Sequence, residues 1–218
     1  MIKISQRLNV IFSHIPNCNK FADIGCDHGY ISYKMLSQNK CKSLIFSDIS
    51  YPSLQKAEKL LKCFSNCKGV CCAGLEKIDT DTDTVLIAGM GGENIITILE
   101  QGFLPKQLIL QPMKNTDKLR VFLNKNGYFL QKDFIFKAED KFYNLIVANF
   151  GKETLTKEQI EYGKTNLLSP TGDFLEYLQK EIGTKQKILQ ELSGDKKEQY
   201  QQNLQKEIAL YENLRVKG

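Results

Sequence analysis

The chain has 218 residues, with 30 Lys plus Arg against 25 Asp plus Glu, a formal charge of +5, and seven cysteines. That length holds one large domain, or a medium domain with an appendage, and buries a sound core without disulfides or metal. No apolar run reaches the roughly 18 residues of a membrane span, and the leading MIKISQRLNVIF is too short and too polar for a secretory segment. A cytoplasmic protein with reduced thiols is expected.

The charge excess has a location. From Thr154 onward the chain carries ten basic and ten acidic side chains, so residues 1–153 hold 20 against 15. A modest excess of this kind suits a polyanionic partner without demanding one.

In chain order, FADIGCDHGY (21–30) comes first, an apolar run entering a glycine-containing loop. A short amphipathic stretch, YISYKMLSQN, leads to a second strand, LIFSD (44–48). Pro52 then opens a helix, SLQKAEKLLKCF, in the first turn, where a missing N–H costs nothing. VCCA reads as a third strand and TVLIAG (84–89) as a fourth; ENIITILEQ is a helix, QLILQP a fifth strand, and DKLRVFLNKNG a helix closed by Gly127. YFLQKDFIFK and KFYNLIVANF are separated by AED alone, which predicts an antiparallel hairpin. Alternating strand–helix units ending in a hairpin give an α/β fold: a doubly wound, mostly parallel sheet with a reversed strand near one edge. The seven-stranded sheet of Rossmann-like class I methyltransferases has this arrangement.

The cysteines include a local group, Cys63, Cys67, Cys71 and Cys72. Its spacings are wider than zinc knuckles, and Cys71 and Cys72 on a strand would face opposite ways. Buried or idle thiols are expected, with no metal.

Beyond Phe174 the pattern changes. Apolar residues recur at 174, 175, 178, 182, 188, 189 and 192, and after Ser193-Gly194-Asp195 at 200, 204, 208, 211 and 214. Both runs have a helical period and predict an antiparallel, coiled-coil-like hairpin, its apolar stripes buried mainly on each other.

The opening loop carries the chemistry. A dinucleotide fold places pyrophosphate here, at a helix N-terminus. Asp27 would oppose that ligand: at ~4 Å and an effective dielectric of ~20, two like charges repel by about 4 kcal/mol. S-adenosylmethionine has no phosphate, and its ammonium and sulfonium are cations that a carboxylate attracts. Asp48 lies at the end of the second strand, where an acid accepts hydrogen bonds from ribose hydroxyls. Asp23 is expected to hold the loop amides rather than touch ligand. IAGMGGEN, after the fourth strand, has three glycines in four residues and exposes backbone; a purely structural tight turn is the alternative.

With ADIGCDHGY, IAGMGG, LILQP, the KFY hairpin, an S-x-RL…IP lead and a helical tail, the chain resembles the bacterial tRNA (adenine(22)-N(1))-methyltransferases. The resemblance implies methyl transfer from S-adenosylmethionine to N(1) of an adenine in the tRNA D-arm. It implies a methyltransferase domain over 1–153 and a helical hairpin domain over 154–218. The cofactor site carries over to Asp23, Gly25, Asp27, Asp48, Ile49, Gly74, Leu75, Gly89, Met90 and Gly91, with Gly92 completing the turn. The family's GDGL stands here as Cys72-Ala73-Gly74-Leu75, without the acid that meets the adenine amino group. Met113 replaces an asparagine after Gln111-Pro112, and Asn144 stands where an acid is common.

N(1) of neutral adenine has a lone pair, so in-line positioning, worth ~7–11 kcal/mol, matters more than a strong base. Asp27 and His28 are the polar groups expected nearest the transfer, though His28 also fits a structural histidine. Tyr30, Phe142 or Tyr143 could stack on an extruded base. A non-catalytic RNA-binding adaptor remains a rival, favoured by the missing acid and asparagine. A nicotinamide oxidoreductase is disfavoured by the missing GxGxxG. Expected partners are tRNA, with no membrane and no metal, and a monomer.

Overall fold

The computed structural model describes residues 2–193 and 195–216. Seven strands form one sheet: β1 (Cys18–Ile24), β2 (Cys41–Asp48), β3 (Cys67–Cys71), β4 (Thr84–Met90), β5 (Gln107–Pro112), β6 (Tyr128–Ala138) and β7 (Lys141–Phe150). Their spatial order is β3-β2-β1-β4-β5-β7-β6. The central strands are continuous apolar runs because helices cover both faces; Phe21, Ala22, Val85, Ile87, Leu108 and Ile109 have no exposed surface. Strands β1 to β5 pair in parallel, while β7 runs antiparallel to both β5 and β6. The reversed strand is therefore second from the edge. Its hairpin closes through Glu139 and Asp140, both at positive φ (50° and 60°), the two-residue turn whose twist suits a hairpin.

One face of the sheet carries α1 (Gln6–Ser13), α2 (Tyr30–Ser37) and α3 (Tyr51–Leu61). The other carries α4 (Gly92–Gln101) and α5 (Thr116–Lys125). Ser5 caps α1 by accepting from the Leu8 N–H at 3.2 Å, and Ser50 caps α3 with Pro52 in its first turn. The third strand begins earlier than VCCA: it spans Cys67–Cys71, with Cys71 exposed and Cys72 buried just beyond it. It is an edge strand, half-exposed along its length, so Lys68 and Gly69 sit in it and apolarity does not mark its start.

After β7 the chain forms α6 (Lys157–Tyr162), α7 (Lys164–Leu168), α8 (Gly172–Glu191) and α9 (Asp195–Arg215). The expected turn between the last two includes Gly194, which lies outside the described residues. The open edge of β6 is closed by side chains: Thr165, Asn166 and Asp173 accept from the backbone N–H groups of Asp133, Ile135 and Lys137. Covering a sheet edge in this way removes a template for unwanted strand pairing. Beneath lies a buried ion pair. Arg120 donates to Asp133 at 2.8–3.0 Å and to the carbonyls of Ile160 and Glu161 at 2.9 and 3.1 Å, joining α5, β6 and α6.

The apolar stripes of α8 and α9 close on each other, and at one end they also meet the sheet. Phe174 and Leu178 are buried with Ile135 of β6 and Leu214 of α9, flanked by Phe142 and Leu167. The first turns of α8 lie against the sheet, and only farther out does the hairpin stand alone, where Ile188 is 41% exposed. The two helices are also joined by Lys185 and the buried Glu207, 2.6 Å apart.

Candidate active site

The loop after β1 is held by backbone. The N–H groups of Gly25 and Cys26 both donate to the Ser47 carbonyl, at 2.8 and 2.9 Å, which ties the loop to the end of β2. Gly25 has φ +69°, so the turn favours glycine; a Cβ there would fall 2.3 Å from the Met90 methyl, the movable end of a flexible side chain. Asp27 also takes a left-handed conformation (φ 48°), one that Asp tolerates better than most residues.

Asp48 completes the loop. Its carboxylate accepts from the Asp27 N–H at 3.1 Å and the Ser50 N–H at 2.8 Å, fixing its orientation at the strand end. Asp27 turns its own carboxylate outward, 66% exposed and 2.7 Å from His28 Nδ1. That contact leaves Nε2 of His28 available, and the imidazole stacks on Tyr30 with centroids 5.4 Å apart and planes 9° from parallel.

Asp23 does not hold the loop amides as expected, because those amides are satisfied by Ser47 and Asp48. Its buried carboxylate accepts instead from the Ser32 hydroxyl at 2.7 Å, fixing α2 from below. Burial pushes its pKa up to about 6, the Ser32 hydrogen bonds opposing the rise.

These groups line one cavity of about 620 Å³ over the C-terminal ends of β1, β2 and β4. Asp23, Gly25, Asp27, His28, Asp48, Ile49, Gly74, Gly89 and Met90 all reach it. Leu75 and Gly91 do not line it. Gly74 sits at positive φ (52°), and after that bend Leu75 turns into the core, 4% exposed. Gly91 is the N-cap of α4, beside Lys114. Gly92 serves packing: a Cβ there would lie 2.3 Å from the Asn115 carbonyl oxygen. The glycine-rich turn is thus divided, its first glycine on the cavity and its last two fitting α4 against the loop after β5.

Sequence reading missed Arg7 and the face of α4 formed by Asn94, Thr97 and Ile98. Their i, i+3, i+4 spacing was the available signal for the latter. Asn94 and Thr97 bring polar side chains to a cavity whose Cys72-Ala73-Gly74 wall has no acid. Asn144 is structural, its amide oxygen accepting from Arg120 at 3.2 Å. The seven cysteines are free thiols, and burial raises the pKa of Cys41 to about 11 and of Cys18 to about 12. Among the described residues no three His, Cys, Asp or Glu side chains gather as a metal site.

The donor set fits an adenosine-containing cation. Asp27 and Asp48 pair with no lysine or arginine among the described residues, so a ligand cation has carboxylates to meet. A pyrophosphate would meet the same two charges with the wrong sign.

A β3-β2-β1-β4-β5-β7-β6 sheet with this cavity over its strand ends defines a Rossmann-like class I methyltransferase. The family model described as tRNA (adenine(22)-N(1))-methyltransferase matches residues 21–213, and the chain belongs to that family. It is 29% identical over 206 residues to the tRNA (adenine(22)-N(1))-methyltransferase of Bacillus subtilis, covering 88% of this chain and 87% of the relative. Among solved structures it superposes on M. capricolum TrmK in complex with S-adenosyl-homocysteine, with a TM-score of 0.86, 26% identity and coverage of 96% and 98%. The crystal structure of the B. subtilis m1A22 tRNA methyltransferase TrmK gives a TM-score of 0.81 at 25% identity, covering 98% of this chain and 99% of that one.

Proposed function

We propose that this protein transfers a methyl group from S-adenosylmethionine to N(1) of adenine 22 in the D-arm of tRNA. The observation that carries the reading is the pair of carboxylates that meet no lysine or arginine among the described residues, Asp27 and Asp48, in a cavity on the family's own sheet. Bound there, S-adenosylmethionine supplies a methyl group activated by a sulfonium.

The residues divide the work. Asp48, oriented by two backbone N–H groups, is placed to accept from ribose hydroxyls. Ile49, 76% exposed at the rim, and the Ala73-Gly74 wall offer apolar and backbone surface to an adenine. Gly25 admits a ligand close to the backbone, and Asp27 supplies negative charge beside it. The stacked His28–Tyr30 pair offers a flat face to a base drawn out of its helix, an extrusion that costs a few kcal/mol. Asp27 then counters the positive charge that N(1)-methylation places on the base, so the carboxylate favours the transition state over the ground state. No side chain has to remove a proton before attack, and His28 acts by stacking and by its link to Asp27.

The helical tail, in this reading, braces the tRNA while residues 1–153 bind the cofactor and hold the excess positive charge. The test is primer extension on tRNA incubated with protein and S-adenosylmethionine. A methyl on N(1) blocks base pairing, so a new stop at adenine 22 is expected. Cofactor and tRNA binding without any stop would favour the adaptor.

A further inference from the structure

The stacked His28–Tyr30 pair is a wall between two cavities. On one side lies the cavity of about 620 Å³ over the strand ends, and on the other a depression of about 350 Å³ lined by His28, Tyr30, Lys56, Lys59 and Leu60. The last three belong to α3 and share one face, at i, i+3 and i+4. That face reaches the wall because α3 packs tightly against the loop: a Cβ on Gly29 (φ +70°) would lie 2.9 Å from the Ala57 methyl. Lys56 and Lys59 are exposed, and neither forms an ion pair among the described residues. Glu58, between them in the chain, turns toward Gly69 of the edge strand. On the loop, Asp27 already meets His28.

Two lysines on an exposed helix are by themselves a solvated face. What sets these apart is their place behind the stacked pair. A base drawn into the first cavity, against the His28–Tyr30 face, leaves its backbone outside, and the strand has to pass the rim of that wall. The two ammonium groups stand on its far side. Lysine suits the task, because a point charge on a flexible stem holds a phosphate without demanding fixed geometry while the base is extruded. Leu60 and the lysine stems give an apolar floor on which a sugar can rest. Contacts to phosphate fix register without reading sequence, which is what holding one nucleotide of a folded RNA over a methyl donor requires.

We infer that Lys56 and Lys59 bind the backbone phosphate flanking the target adenine and so hold the extruded nucleotide at the His28–Tyr30 wall. The inference rests on the methyl-transfer reading given above and adds the path of the RNA strand, which leaves the active site across α3.

The experiment compares wild type with the double variant Lys56→Gln, Lys59→Gln and with a control, Lys42→Gln, Lys106→Gln. The control removes the same charge from exposed positions at the N-terminal ends of β2 and β5, the end of the sheet opposite the cavity. The α3 variant should raise KM for tRNA about tenfold and weaken the slope of log KM against log salt by ~1–2. Its affinity for S-adenosylhomocysteine and its denaturant midpoint should match wild type, and the control should keep wild-type KM and slope. The ligand is then identified with tRNA carrying one neutral methylphosphonate, placed in turn on the 5′ and the 3′ side of adenine 22. One of the two should raise KM for wild type and have little further effect on the α3 variant, because the contact is already broken. Equal shifts in the α3 variant and the control would mean general charge alone. Additive losses with both methylphosphonates would mean that the lysines hold another part of the tRNA, and wild-type KM throughout would mean solvated surface. Each of these overturns the inference while methyl transfer by the wild type stands. Wild-type protein that neither binds nor methylates tRNA would overturn the functional reading, and this site with it.

Discussion

Two carboxylates, Asp48 and Asp133, stand on strands of the same sheet and are used in opposite ways. Asp133 is fully buried, and its oxygens are saturated by Arg120 and by the Lys164 N–H at 3.1 Å. Asp48 is half-buried and receives two backbone N–H groups but, among the described residues, no side-chain cation. The first arrangement satisfies the charge internally and fixes how α5, β6 and the following helices meet. The second fixes geometry while leaving the charge for a ligand. Binding capacity here follows from what is withheld from the carboxylate rather than from the carboxylate itself.

Breaking the buried pair should give the largest effect. Arg120→Met leaves the Asp133 carboxylate uncompensated and removes the donor to two carbonyls, so a loss of about 3–5 kcal/mol in unfolding free energy is expected. The double variant Arg120→Met with Asp133→Leu should recover much of that loss. Denaturant titration measures both, and an Arg120→Met midpoint close to wild type would show that the pair does not join these elements. Asp48→Asn, by contrast, keeps one of the two acceptors and leaves the other backbone N–H facing an amide NH2, so a smaller loss of about 1–3 kcal/mol is expected. Its affinity for S-adenosylhomocysteine should still fall by roughly tenfold, since hydrogen bonds to a charged group are worth ~1.5–3 kcal/mol. Unchanged affinity in calorimetry would take Asp48 out of the ribose role.

The same contrast explains what the sequence made legible. Strand order and the cofactor loop could be read because they depend on local signals: apolar runs buried on both faces, and glycines where φ is positive or the approach close. The pairing of Arg120 with Asp133 spans 13 residues and two elements, and nothing in the spacing marks it. Arg7 and Gln111 are 104 residues apart and meet only because the first turn of α1 brings the Arg7 side chain to the ends of β4 and β5. The Leu75 side chain points away from the cavity for a related reason. A motif names a stretch of backbone at a site, but which of its side chains turn toward the ligand depends on the bend at Gly74. The tail helices were visible in their period, whereas their docking on Ile135 was not, since periodicity gives a face and not its partner.

Asp23 offers the finest test, because it lies between the two cases: buried like Asp133, yet on the wall of the cavity with Asp48. Burial raises its pKa from 3.8 to about 6, so near neutral pH the folded protein carries a carboxylate that is less stable there than in the unfolded chain. A shift of that size corresponds to a destabilisation on the order of 3 kcal/mol above pH ~6, relieved as pH falls through ~6 and gone below the unfolded value. The ligand-free protein therefore gains stability from this residue on mild acidification. A cation in the cavity acts in the reverse sense, favouring the carboxylate and releasing a proton as it binds. S-adenosylmethionine should accordingly bind several-fold more weakly at about pH 5 than at about pH 7.5, while uncharged 5′-methylthioadenosine should show little change. Asp23→Asn keeps an acceptor for the Ser32 hydroxyl and removes the titration, so the difference between the two pH values should shrink. Calorimetry in two buffers of different ionisation enthalpy would count the proton released near pH ~6. If wild type and Asp23→Asn show the same pH dependence, the Asp23 charge is not sensed by the cofactor, and its role reduces to fixing α2 through Ser32.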